Sequence, residues 1–221
     1  MTAIVFDLDG TLIESAPDIH RAANVALANQ GQPPLSLALV RTFIGNGVPT
    51  LIHRVMSASG LLGSDIHAAM LADFMADYNA APADLTRCFY GVPEALAALR
   101  AQGFKLGICT NKPEGTSGAI LEQLGLAHLF DVVIGGDSLA YRKPDPRPLL
   151  ATFQALGADR GLYVGDSEVD AETAHAARIP ILLFTQGYRA KSIEDLNPRG
   201  SFDQFADLPG LIATQLHEVT P

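Results

Sequence analysis

Three features of the sequence predict an α/β fold with a Rossmann-like parallel sheet core and an all-helical cap inserted after the first strand. Short apolar runs ending in Asp, Asn or Gly recur along the chain. Helical patterns alternate with them. One block, from about Ser15 to Asn79, breaks the alternation with helical patterns alone. Strands alternating with helices build βαβ units, and the carboxyl ends of their parallel strands are where ligands bind.

The first run, Ala3-Ile4-Val5-Phe6, is β-prone and stops at Asp7-Leu8-Asp9-Gly10-Thr11. That is the grammar of a buried strand entering a tight loop. Pro17-Asp18 then opens a helical run to Gln30, which Gly31 ends. Further helices are expected over 37–44, 50–57 and 65–78, and Ala80-Ala81-Pro82 reads as the return hinge. The expected units are therefore a core of 1–14 and 82–221 and a cap of 15–81. Beyond the hinge, helices are predicted at 92–102, 115–124, 147–156 and 168–178. Gly103, Gly125 and Gly157 stop the first three, and Pro180 lies just past the fourth. Strands are expected at 104–109, 131–134, 162–164 and 179–184. Residues 188–201 carry no clear pattern and are expected to be loop with at most a helical turn.

Composition excludes several classes. The chain has 221 residues, 48% of them hydrophobic and 18% charged, enough apolar material for a substantial core. Two cysteines, Cys88 and Cys109, are too few for a disulfide scaffold or a multi-cysteine zinc site. Cys109 lies in an apolar run and is expected to be buried and inert. The net charge of −9 argues against nucleic acid or an anionic membrane as partner. No apolar stretch approaches the roughly 20 residues of a membrane helix. Asp7 and Asp9 interrupt the only early apolar segment, so no signal peptide is read and a cytoplasmic location is expected. The chain itself is expected to be a monomer or homodimer.

The polar residues gather where such a sheet would bind a ligand. Asp7 and Asp9 follow the first strand, Thr110, Asn111 and Lys112 a later one, and Asp166 and Asp170 another, with Lys143 after Gly135-Gly136. Several carboxylates at one edge repel one another and call for a cation. Oxygen-only ligands suit Mg²⁺ ahead of Zn²⁺. Thr110, Asn111 and Lys143 supply donors and positive charge for an anion. Metal, anion-binding donors and a spare carboxylate together describe phosphoryl transfer.

These motifs resemble those of the haloacid dehalogenase superfamily. Asp7-Leu8-Asp9-Gly10-Thr11-Leu12 looks like its first motif and Thr110-Asn111 its second. Lys143-Pro144 looks like its third and Gly165-Asp166-Ser167-Glu168-Val169-Asp170 its fourth. Within the superfamily the likeness is greatest to the bacterial phosphatases of 2-phosphoglycolate. It rests on Ser15-Ala16-Pro17-Asp18, on Ile44-Gly45-Asn46-Gly47 with Leu51 and Arg54, on Gly91 to Leu96 and on Gly135 to Ser138. Glu14 departs from the pattern, which more often has Asp there.

The resemblance implies a role for each residue. Asp7 would attack phosphorus and form an aspartyl-phosphate. Asp9 would protonate the leaving group and later activate water. Members that cleave carbon–halogen bonds lack this second Asp. Mg²⁺ would be held by Asp7, Asp166 and the Asp9 carbonyl, with Asp170 ligating through water or orienting the others. Thr110 and the Asn111 backbone would hold phosphate oxygens, and Lys143 would offset the charge. Gly45, Asn46 and Arg54 in the cap would recognise the rest of the substrate, ahead of Arg21, Arg41 and His53. Plainer readings stand beside these: a helix stop for Gly45-Asn46-Gly47, a solvated face for Arg54, and a first-turn residue favoured by the helix dipole for Asp170. The expected activity is a Mg²⁺-dependent hydrolysis of 2-phosphoglycolate. A sugar-phosphate phosphatase or a β-phosphoglucomutase-like phosphotransferase is the alternative. A non-catalytic module is disfavoured because Asp7, Asp9 and Lys143 are all present.

Overall fold

A computed structural model describes residues 2–63 and 65–217. The chain opens with β1 (Thr2–Phe6) and a two-residue strand β2 (Ile13–Glu14). Four helices follow: α1 (Ala16–Asn29), α2 (Leu37–Arg41), α3 (Val48–Ala58) and α4 (His67–Ala80). The chain returns through β3 (Arg87–Cys88) and alternates as α5 (Val92–Ala101), β4 (Lys105–Cys109), α6 (Glu114–Gln123), β5 (Val132–Ile134) and α7 (Arg147–Ala155). It continues through β6 (Arg160–Gly165), α8 (Glu168–Ala177), β7 (Ile181–Phe184), α9 (Ile193–Leu196), β8 (Gly200–Phe202) and α10 (Leu208–His217).

Six strands form one sheet in the order β5-β4-β1-β6-β7-β8, and every pairing in it is parallel. The near-continuous apolar strands fit this, because helices cover both faces of such a sheet. Alternation along β1 sends Ile4 and Phe6 to one face, into a cluster with Leu96 and Leu99 of α5 and Ile120 of α6. It sends Ala3 and Val5 to the other, with Leu149 and Phe153 of α7 and Ala174 of α8.

The inserted helices extend the first of these clusters. Ala22, Ala23 and Ala26 keep the inner face of α1 narrow where it packs along α4. Met70, Phe74 and Tyr78 face it from α4, and the Phe74 and Tyr78 rings lie 5.4 Å apart. Two ties fix the segment's ends. Ile13 pairs with Cys88 and Glu14 with Arg87, antiparallel. Buried Asp18 accepts from the backbone N–H groups of Leu85 and Thr86 at 2.9 and 2.7 Å.

Several boundaries depart from expectation for local reasons. The strand read over 179–184 begins at Ile181, because Ile179 N–H still closes α8 on Ala174 O and Pro180 has no N–H to give. The helix read over 37–44 stops at Arg41, where Thr42 and Phe43 turn back on Leu39 and Val40 toward Gly45. The patternless 188–201 stretch holds α9, capped by Ser192 accepting from Asp195 N–H, and the edge strand β8. Among the described residues no helix is long and apolar enough to cross a membrane.

Candidate active site

The carboxyl ends of β1, β4 and β6 meet at one edge of the sheet. Phe6 is level with both Ile108 and Val164, so the residues just past each strand emerge side by side. Thus β1 delivers Asp7, β4 delivers Thr110 to Lys112, β6 delivers Asp166, and Asp170 sits in the first turn of α8.

Oxygens of Asp7, Asp166 and Asp170 lie within 4.8 Å of one another, and all three residues are buried. Burial pushes the Asp7 carboxyl up to about 6, against the pull of Lys143. Burial, then the charges of Asp170 and Asp7, drives Asp166 well above the usual carboxylate range. Burial acts on Asp170 too, but Lys143 and hydrogen bonds from Lys143, Ser167 and Tyr163 outweigh it and hold Asp170 below that range. Negative charge at Asp7 and Asp166 is thus left short of a counter-charge. Asp7 Oδ1 makes the same point: it is buried 2.9 Å from Lys143 Nζ yet, among the described residues, accepts no hydrogen bond of normal geometry. The cluster could hold a metal ion, and its all-oxygen donors fit a hard dication.

Each carboxylate is held from behind. Asp166 accepts from Thr11 Oγ1 at 2.7 Å and from Tyr188 N–H at 2.6 Å. Asp170 Oδ2 accepts from Ser167 N–H at 3.1 Å in a capping box at the start of α8, and also from Ser167 Oγ at 2.7 Å. Its Oδ1 accepts from Lys143 Nζ at 2.7 Å and from Tyr163 Oη at 2.8 Å. In the first turn of α8, both Asp170 oxygens are therefore engaged by side-chain donors.

Lys143 is fixed through Asn111. Lys143 N–H donates to Asn111 Oδ1 at 2.9 Å, and Asn111 Nδ2 donates back to Lys143 O at 2.9 Å. Burial works against the Lys143 charge, but Asp170 and Asp7 outweigh it and hold the ammonium well above the usual lysine range. Asp9 is not one of the three grouped carboxylates. Lys112 Nζ reaches its two carboxylate oxygens at 2.9 and 3.0 Å, and Ser15 Oγ donates to Oδ1.

A cleft separates these groups from the inserted helices. On the sheet side Asp7, Asp9, Thr110, Asn111 and Lys112 line it. Opposite stand Ile19, Ile44, Val48, Leu51 and Phe74, with Tyr78 and the backbone of Gly45 and Gly47. Gly45 and Gly47 have φ of 114° and 83°, a left-handed backbone that a side chain would strain. Asn111 Nδ2 also donates to Gly45 O at 3.0 Å, tying this loop to the sheet edge.

The expected recognition residues divide. Gly45 lines the cleft, whereas Asn46 and Arg54 do not. Helix α3 buries Leu51, Ile52, Val55 and Met56, which leaves Arg54 on its flank. There Arg54 donates to Asn46 Oδ1 at 2.8 Å and to Phe43 O at 2.9 Å, bracing the loop from outside. Arg21 is a tie to Asp18, Asp77 and Ala81 O. Arg41 pairs with Glu14 at 3.0 Å, and His53 is exposed. Sequence pattern alone gave no role to Lys112, although its place directly after Thr110-Asn111 was a usable signal. Tyr163 carried no such signal, since it sits inside an apolar run, and Tyr78 carried none between Asp77 and Asn79 near the end of a helical pattern.

The chain resembles known proteins along nearly all its length. Residues 4–184 match the model of the haloacid dehalogenase-like hydrolase family. A phosphoglycolate phosphatase of Cereibacter sphaeroides is 53% identical over 214 residues, covering 96% of this chain and 98% of that protein. One from Rhodospirillum rubrum is 43% identical over 213 residues, covering 93% and 88%. Among solved structures, a predicted phosphoglycolate phosphatase from Haemophilus somnus is 35% identical with a TM-score of 0.90, over 96% of this chain and 97% of that one. The motif-bearing strand ends, the family match and these relatives agree: the chain belongs to the haloacid dehalogenase-like hydrolases.

Proposed function

We propose that this chain is a phosphatase that hydrolyses 2-phosphoglycolate to glycolate and inorganic phosphate through a phosphorylated Asp7. The observation that carries the reading is the convergence of Asp7, Thr110, Lys143 and Asp166 beside a cleft that Asp9 also lines. The names of the relatives supply the substrate.

Asp7 and Asp166, with the Asp9 carbonyl, would hold Mg²⁺, and Asp170 would position Lys143 and the start of α8. The bound ion would supply charge to orient and neutralise the phosphoryl oxygens. A carboxylate is nucleophilic at neutral pH, so Asp7 needs no activating base. Its oxygen forms a bond to phosphorus as the bond from phosphorus to the glycolate oxygen breaks. Asp9 gives that oxygen a proton. Asp9 then takes a proton from water as the water oxygen attacks phosphorus, the phosphorus–Asp7 bond breaks and phosphate leaves. Thr110 and the Asn111 backbone would hold the phosphoryl oxygens, and Lys143 would offset charge in the transition state. Residues 15–81, acting as the cap, would keep bulk water from the site while the phosphoryl group passes to Asp7.

Phosphate release from 2-phosphoglycolate, glucose 6-phosphate, β-glucose 1-phosphate and p-nitrophenyl phosphate, with Mg²⁺ and then EDTA, tests this. A preference for 2-phosphoglycolate that EDTA abolishes and Asp7→Asn eliminates is the expected result. A preference for hexose phosphates would overturn the substrate while keeping the chemistry.

A further inference from the structure

We infer that Lys112 and the Tyr78 hydroxyl form the subsite for the carboxylate of the substrate, an assignment that rests on the 2-phosphoglycolate reading above. A substrate that carries a carboxylate beside its phosphate needs a second cationic or donor group in the cleft. Lys143 is committed to Asp7, Asp170 and Tyr163. Arg54 lies outside, bound to Asn46 and Phe43. Lys112 is therefore the cleft-lining cation left to meet that carboxylate.

The opposite wall supports the same position. Its side chains are apolar apart from Tyr78. The Tyr78 hydroxyl is buried close to Lys112 and, among the described residues, finds no acceptor for its own proton. A buried hydroxyl proton left without an acceptor is costly. A carboxylate oxygen would offer it an acceptor. Lys112 Nζ lies over the Tyr78 ring, 4.7 Å from its centroid, so the ammonium and the phenol border the same space. Burial pushes the phenol up to about 12, against the pull of Lys112, so it stays a donor at neutral pH.

Lys112 also explains how an anion can enter beside Asp9. The ammonium already spans both Asp9 oxygens at 2.9 and 3.0 Å. With three N–H donors it can hold Asp9 and an incoming carboxylate at once. A plain alcohol phosphate gains nothing from this bridge. The pair therefore selects for the carboxylate, and the carbon chain lies against the apolar wall.

The test compares ligands that differ only in that group. In Mg²⁺, calorimetry measures the affinity for 3-phosphonopropionate, a non-hydrolysable mimic, against propylphosphonate, which has a methyl in place of the carboxylate. Kinetics compare 2-phosphoglycolate with ethyl phosphate. The wild-type chain should favour the carboxylated member of each pair. Lys112→Met should shrink both preferences about 10- to 100-fold, the worth of a charge-assisted contact. Lys112→Arg should keep part of them, and the near-isosteric Tyr78→Phe should shrink them about 3- to 10-fold. If Lys112→Met disturbs folding, Tyr78→Phe decides. The subsite is overturned if the wild-type preference exists but Lys112→Met and Tyr78→Phe both leave it intact, or if Arg142→Ala, at an exposed residue whose guanidinium lies near Gly47, removes it instead. A wild-type chain with no preference for 2-phosphoglycolate over ethyl phosphate would overturn the functional reading itself, and this subsite with it.

Discussion

The backbone N–H of Tyr188 donates to Asp166 Oδ2 at 2.6 Å, so a loop residue far along the chain aims one carboxylate of the acidic cluster. The other end of the same residue serves the inserted helices. Its hydroxyl donates to Glu14 Oε1 at 2.7 Å and accepts from the N–H groups of Ser15 and Ala16 where α1 begins. The Arg41 guanidinium lies over its ring at 4.7 Å. A Cβ on neighbouring Gly187 would fall 2.2 Å from Asp166 Oδ2. Gly187→Ala should therefore push Asp166 aside and weaken Mg²⁺ binding about tenfold or more. Tyr188→Phe should mainly cost stability, about 1–2 kcal/mol, because it strips an acceptor from two backbone donors. Calorimetric Mg²⁺ titration and denaturant unfolding separate the two effects. Equal Mg²⁺ affinity in Gly187→Ala and wild type would refute the first.

Metal and protons should compete at Asp7. Its folded-state pKa of about 6 exceeds the ordinary 3.8, so between those values the folded chain holds a proton that the unfolded chain has lost. Metal-free stability therefore falls as pH rises through that window, and stays lower above it. A bound dication displaces the proton and removes the penalty. Thermal unfolding with Mg²⁺ or EDTA should show a larger metal-induced gain at about pH 7.5 than at about pH 5. The same gain at both values would contradict the account.

Lys143→Ala should damage both activity and fold. It leaves Asp7 and Asp170 buried without their ammonium. Breaking such a pair from one side costs about 3–5 kcal/mol, and loss of one electrostatic donor costs about 10²–10³ in turnover. Urea unfolding alongside steady-state kinetics reads both. A variant with normal stability would show that the buried network is weaker than its geometry suggests.

Arg54→Ala should not discriminate between substrates. Arg54 holds the Phe43–Asn46 loop rather than the cleft. Loosening that loop should raise KM a few-fold, about equally for 2-phosphoglycolate and ethyl phosphate. A rise confined to 2-phosphoglycolate would return Arg54 to the recognition site.

Thiol labelling should see one cysteine. Burial pushes the Cys109 thiol up to about 12, while half-buried Cys88 is raised less. At about pH 8 a disulfide reagent should label Cys88 slowly and Cys109 only after unfolding. Labelling of both in the folded chain, followed by mass spectrometry, would show an open core.

The parallel sheet and the sheet-edge constellation were legible because they rest on runs of apolar residues that stop at Asp, Asn or Gly. Asp7, Asp166 and Lys143 could be brought together from sequence for that reason. β2 and β3 were not legible, since two residues are too few to show a period. The same holds for the Gly-led edge strand β8. Arg54 shows a different limit. Charge type and helix spacing place it near a loop, but the rotation of α3 decides whether it faces the cleft. Tyr78 and Lys112 needed the fold, because their meeting joins residues from an inserted helix and a sheet edge.

The short β2–β3 ladder brings the points where the chain leaves and re-enters the sheet-bearing body next to each other. Everything between them is a loop insertion in topological terms, however large. Such a segment can be exchanged as a cassette without rewiring the sheet, provided the Ser15 and Ala16 contacts to Tyr188 are kept. Selection can then retune the wall that faces the substrate while the reacting groups stay fixed, and a chimera cut at residues 14 and 87 would put that separability to use.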